Sequence, residues 1–210
     1  MTTPARTTEL LARLREGAGD AVGELFELHR DRLWRMLFIR LDKRLARRVS
    51  PDDILQEAFL DVSNRIDEYL ERPAVPFYVW LRFLTLQRLR MIQRTHLGAR
   101  MRSVSKEVYP GGDGLALASS DSIAGQLVSH LTSPSQAAIR RELRDRLRAA
   151  LDEMEPLDRE VLALRHFEEL SNTEVAEILG ISKDAASKRH VRALIRLKGI
   201  LTDSAGPFPV

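Results

Sequence analysis

Apolar residues recur at intervals of three, four, seven or eight along most of this chain, the spacing of helices that bury one face. After Asp20 the series is Val22, Leu25, Phe26, Leu33, Leu37, Leu41 and Leu45. Ser50-Pro51-Asp52-Asp53 predicts the start of a second helix. It has a hydroxyl at the N-cap, proline at the first helical position and carboxylates at the positive end of the helix. The apolar stripe that follows is Leu55, Ala58, Phe59, Val62 and Ile66. Pro73 and Pro76 break the pattern, and a third helix is expected from about Phe77 to His96. Over residues 103–139 the period is lost, and Ser, Gly and Pro fill 14 of 37 positions, around Gly111-Gly112-Asp113-Gly114. So long a stretch without periodicity is expected to be an interdomain linker, with at most a short helical turn at Leu127, Val128 and Leu131. Periodicity returns with Ile139, Leu143, Leu147, Leu151 and Met154. Pro156 opens a further helix carrying Val161, Leu164 and Phe167. No segment reads as a strand. The expected fold is all-α: two small helical domains, 1–102 and 140–201, joined by a flexible linker, 103–139, with a frayed tail, 202–210.

Composition narrows the function. The 210 residues include no cysteine, which excludes disulfides, thiolate zinc sites and a cysteine nucleophile. Residues 1–14 carry Arg6, Glu9 and Arg13 and no apolar run, so no signal peptide is expected. No run of 18 apolar residues exists to span a membrane. A soluble, cytoplasmic protein is the expectation. Its charges come in blocks. Residues 30–48 hold eight basic side chains against two acidic, residues 52–71 seven acidic against one basic, and residues 72–102 seven basic and none acidic. Alternating blocks suit two different partners on two faces, one of them a polyanion.

Three segments carry candidate chemistry. In the first, Ser171-Asn172-Thr173-Glu174 forms a capping-box pattern, followed by a short apolar helix, the turn Leu179-Gly180-Ile181-Ser182, and a basic helix. This order predicts a helix-turn-helix. Gly180 is where a residue must take positive φ. The second helix offers Lys183, Ser187, Lys188, Arg189 and Arg192 outward, side chains suited to base edges and phosphates in a major groove. In the second segment, Phe77, Tyr78, Trp80 and Phe83 cluster beside Arg82, Arg88, Arg90, Arg94, Arg100 and Arg102, a mixture suited to unpaired bases and their phosphates, although Trp80, Leu81 and Leu84, at helical spacing, are assigned to the core. A loop near Thr85 to Arg90, with Gln87 as donor and acceptor, could receive a base that has left the stack. In the third segment, Asp53, Glu57 and Asp61 stand four apart on one helix face. Without a histidine or a further carboxylate cluster they suit a basic protein surface better than a metal.

These segments, in this order, resemble RNA polymerase sigma factors of the extracytoplasmic-function (ECF) subfamily. Residues Asp52-Asp53-Ile54-Leu55-Gln56-Glu57-Ala58-Phe59-Leu60 look like the region 2 helix that docks on the β′ clamp helices. The resemblance therefore implies polymerase contacts at Asp52, Asp53, Gln56, Glu57 and Phe59. Pro76-Phe77-Tyr78-Val79-Trp80-Leu81 looks like the start of the segment that opens the −10 element, and implies DNA contacts at Trp80, Arg82, Gln87, Arg88 and Arg94. Leu157-Asp158-Arg159-Glu160-Val161-Leu162 and the helix-turn-helix look like region 4, which reads the −35 element. Three positions depart from the family pattern. Gln87 stands where Asn is common, Met91 where Asp is common, and His190 where an apolar residue is usual.

The implied function is promoter recognition, promoter melting and initiation by core RNA polymerase. The implied partners are the β′ clamp helices, the β flap, promoter DNA and an anti-sigma factor, with no membrane or small-molecule substrate. An autonomous helix-turn-helix regulator is the alternative, and a helical adaptor with no nucleic-acid partner the plainest reading. Enzymatic readings find no support: Gly17, Gly19 and Gly23 lack dinucleotide-fingerprint spacing. The five histidines fall in no ligand spacing, so neither cofactor nor metal is expected.

Overall fold

The computed structural model describes residues 3–42, 44–97, 117–131 and 137–203. Its contacts divide the chain into two compact units, Met1–Ala116 and Leu117–Val210. All regular structure in the described residues is helical.

The first unit contains α1 (Thr3–Arg15), α2 (Ala21–Arg40), α3 (Pro51–Glu71) and α4 (Phe77–Leu97). Helix α1 packs on α2, and α2, α3 and α4 pack on one another. Their shared core includes Leu10, Leu25, Leu33, Met36, Leu37, Ile54, Leu55, Leu81, Leu84 and Leu89, none more than 1% exposed. The apolar series read through to Leu45 is interrupted. Leu41 takes extended dihedrals, its N–H still bonded to the Leu37 carbonyl, and ends α2. Leu45 is nevertheless buried, from the turn that follows. The start of α3 is as its residue types dictate. Ser50 Oγ accepts from the Asp53 N–H at 3.1 Å, and the Asp53 carboxylate accepts from the Ser50 N–H at 2.8 Å. Two backbone groups that the helix leaves unpaired are thereby satisfied.

The second unit contains α5 (Ser120–Leu131), α6 (Ala137–Asp152), α7 (Pro156–His166), α8 (Asn172–Leu179) and α9 (Lys183–Asp203). The segment expected as linker is therefore not linker throughout. Helix α5 has twelve residues and packs on α6, burying Ile123, Ala124 and Val128. Two polar contacts fix it. Arg144 of α6 donates to both carboxylate oxygens of Asp121 at 2.9 Å. The buried Glu160 of α7 accepts from the Ala118 N–H at 2.9 Å. The Ser- and Gly-rich composition concealed this helix because its stability comes from tertiary packing rather than propensity. Of the expected tail, 202–203 finish α9, and 204–210 lie outside the described residues.

Gly180 ends α8 at φ 62°, ψ 34°, with its N–H bonded to the Ala176 carbonyl. No atom lies within 4 Å of where a Cβ would stand. Gly180→Ala should therefore cost only the left-handed backbone penalty, about 1 kcal/mol, read as a lower urea midpoint with unchanged slope.

Candidate nucleic-acid interface

Helices α7, α8 and α9 build the helix-turn-helix. The capping box of α8 is complete: Ser171 Oγ accepts from the Glu174 N–H at 3.2 Å, and Glu174 accepts from the Ser171 N–H at 2.8 Å. Ser182 Oγ accepts from the Ala185 N–H at 3.1 Å at the start of α9. The small Ala186 and Ala193 are the buried face of α9, and Ala176 of α8 is buried with them. Small side chains there allow the helices to lie close.

The recognition residues separate into two groups. Lys183, Lys188 and Arg192 are exposed, and Ser187 is half-buried. Arg189 is turned inward. Its guanidinium donates to Asp158 of α7 at 2.7 Å and lies 3.7 Å from Glu155. Asp158 is only 8% exposed. The expected outward Arg189 is thus a tie between α9 and α7, because a buried carboxylate must be paired. Around Arg192 the surface changes, with Val191, Leu194 and Ile195 standing 40–66% exposed. Sequence reasoning passed over these three because their spacing looks like core.

In the first unit, α3 presents Gln56 and Glu57 outward, with Leu60 58% exposed among them. Leu60 falls outside the apolar stripe of this helix. An apolar residue at that register has no inward partner, and only the packed structure reveals this. The other expected contacts are partly occupied. Asp52 accepts from Arg30 and, at 3.3 Å, from the Trp34 indole N–H. The Ser50 backbone N–H, through its hydrogen bond, holds the Asp53 carboxyl below the ordinary carboxylate range. The Phe59 ring packs edge-on against Phe26, centroids 5.2 Å apart, and so belongs partly to the core.

Helix α4 runs unbroken through Thr85 to Arg90, so the expected loop does not exist. Thr85 is fully buried and donates to the Leu81 carbonyl at 3.0 Å. Arg82 is 3% exposed and lies within the unit, not on a DNA-facing surface. Arg88 grips Asp61 of α3, its Nε at 2.8 Å, and lies 3.4 Å from Glu57. Trp80 is half-buried against Tyr69, ring centroids 4.9 Å apart. What α4 does present is one stripe at helical spacing: Phe83 at 41% exposure, half-buried Gln87, Met91 at 43%, and exposed Arg94. An aromatic, an amide and a cation in line can stack, hydrogen-bond and neutralise phosphate along a single strand.

The family model described as Sigma-70, region 4 matches residues 144–197, which takes in all of α7 and α8 and most of α9. Over 202 residues the chain is 26% identical to the ECF RNA polymerase sigma factor BldN of Streptomyces coelicolor, covering 96% of this chain and 68% of that protein. It is 25% identical to the ECF RNA polymerase sigma factor SigW of Bacillus subtilis over 198 residues, covering 92% and 95%. Over most of its length this chain is similar to RNA polymerase sigma factors of the ECF subfamily. The fold is also similar to that of CnrH solved in complex with the cytosolic domain of CnrY. There the TM-score is 0.54 at 21% identity, over 95% of this chain and 99% of that one. Helix α5 lies outside the region 4 match although it packs on α6.

Among the described residues, no helix is long and apolar enough to cross a membrane. Nor do three or more His, Asp or Glu side chains gather among those residues.

Proposed function

We propose that the two units divide the work of promoter-specific initiation. The second unit reads the −35 element in the major groove. The first docks on core RNA polymerase and holds the −10 strand as it opens. The carrying observation is α9: a capped helix set by the Gly180 turn, with Lys183, Lys188 and Arg192 exposed on it. Backbone N–H groups at its start and cations along its side can meet phosphates. Docking falls to the α3 face of Gln56, Glu57 and Leu60, where an apolar side chain with acidic neighbours suits the basic clamp helices of β′. The α4 stripe from Phe83 to Arg94 takes the place of the expected loop in holding the −10 strand. Val191, Leu194 and Ile195 suit a protein contact such as the β flap, since exposed apolar side chains gain little from phosphate. An anti-sigma factor would compete for these same faces. The protein acts in the cytoplasm and has no catalysis of its own.

The test is transcription in vitro with core polymerase and saturating factor, on promoters with intact and scrambled −35 boxes. Initiation should fall on the scrambled box, and β and β′ should co-purify with the factor. Unchanged initiation on the scrambled box would reject the −35 assignment. Lys188→Ala should weaken binding to all sequences alike and reduce the salt slope by about one. A binding isotherm repeated at several salt concentrations reads both effects.

A further inference from the structure

His166 and His190 lie 24 residues apart in sequence, yet their Nε2 atoms are 3.0 Å apart. His166 is at the C-terminal end of α7, and His190 is in α9, between Lys188 and Arg192. Their ring centroids are 5.1 Å apart at an interplanar angle of 44°, so the rings meet nitrogen to nitrogen rather than stacking. His166 is exposed and His190 half-buried, so solvent reaches the pair.

We propose that His166 and His190 form a two-histidine binding site for a divalent first-row transition cation of the nickel(II) or copper(II) kind. The geometry supports this directly. A metal–imidazole bond is about 2.0–2.1 Å long, so two cis ligands at a right angle place their nitrogens about 2.9 Å apart. A tetrahedral angle would separate them by about 3.3 Å. The observed 3.0 Å is closer to the right-angle arrangement of tetragonal and octahedral nitrogen sites. Water completes the coordination sphere, since only two protein ligands are at hand.

The protonation state is also suitable. In the metal-free pair one ring donates an Nε2–H to the lone pair of the other. On binding, that donor's proton moves through solvent to its own Nδ1, and both Nε2 lone pairs turn to the cation with no net change in charge on either ring. Partial loss of solvent around the rings is the main cause that lowers the pKa of both, which favours the neutral form with a free lone pair. Arg165 lowers both further. Its charge also opposes a cation, but its guanidinium is turned to the Leu170 carbonyl. That opposition weakens the site without closing it.

The site has a mechanical consequence. Arg189 already ties α9 to α7 through Asp158, and a cation on the neighbouring His190 would add a second tie between the same helices. The recognition helix would be held more stiffly while Lys188 and Arg192 stay exposed.

The experiment is calorimetric titration of the untagged full chain with nickel chloride, and then with copper chloride, at pH 7.5. Wild type should bind one equivalent. At ten-fold excess over Kd its unfolding midpoint should rise by about 4 °C or more. His166→Gln and His190→Leu should each abolish both effects. The other three histidines remain in each variant as internal controls, and helical circular dichroism establishes that each variant is folded. Absence of saturable binding to wild type would overturn the proposal. So would binding that persists in either folded variant, since a pair needs both rings. Should His190→Leu not fold, His190→Gln takes its place.

Discussion

Leu60→Asp is expected to reduce binding to core RNA polymerase by about 30-fold or more, the scale of losing an interface anchor worth about 2 kcal/mol. Leu60 is 58% exposed on α3, beside exposed Gln56 and Glu57. An aliphatic side chain at the centre of a polar face can anchor an interface, and an acid there would lose the apolar contact and have to be desolvated. The substitution should leave the fold within about 0.5 kcal/mol of wild type, as surface changes generally do. Glu57→Lys should weaken docking less, because a charge at the rim of an interface mostly affects encounter and is screened by salt. Competition of each variant against labelled wild type for core polymerase measures both. If folded Leu60→Asp competes as well as wild type, α3 does not dock by this face.

Arg189→Ala should cost about 2 kcal/mol of stability in the second unit, whatever it does to DNA binding. Removing the guanidinium strands the Asp158 carboxylate, whose side chain is only 12% exposed and which has Arg189 at 2.7 Å. The figure is below that for a fully buried pair because the Arg189 side chain is 25% exposed. Asp158→Asn separates the two roles, since it breaks the ion pair while keeping the arginine. Both variants should lower the urea midpoint. Both should lose transcription only insofar as α9 is displaced, and Lys188→Ala should leave the midpoint unchanged. If Arg189→Ala leaves stability unchanged but abolishes dependence on the −35 box, then Arg189 reads DNA and the tie to α7 is incidental.

The helix-turn-helix could be read from sequence because its signals are local. The Ser171–Glu174 capping box, the left-handed Gly180 and the Ser182 cap each act within a few residues, and each stands where it was expected. The start of α3 at Ser50 and Pro51 was legible for the same reason. The all-α class followed from periodicity alone. What a side chain does once its helix has packed was not legible. Arg189 and Arg82 both read as outward cations, yet one is drawn to Asp158 and the other is buried, because burial depends on which neighbouring helix supplies a partner. Leu60 falls outside the apolar stripe read for its helix, and the packing of α3 leaves it facing solvent. Helix α5 was hidden in Ser- and Gly-rich sequence because α6 stabilises it from outside. The His166–His190 pair has no spacing to read, since residues 24 apart meet only when α7 and α9 pack. Sequence determined the helix ends that a cap or a turn marks, through hydrogen bonds a few residues long. Tertiary structure decided which side chains face partners and which face one another, because that depends on surfaces brought together from distant parts of the chain.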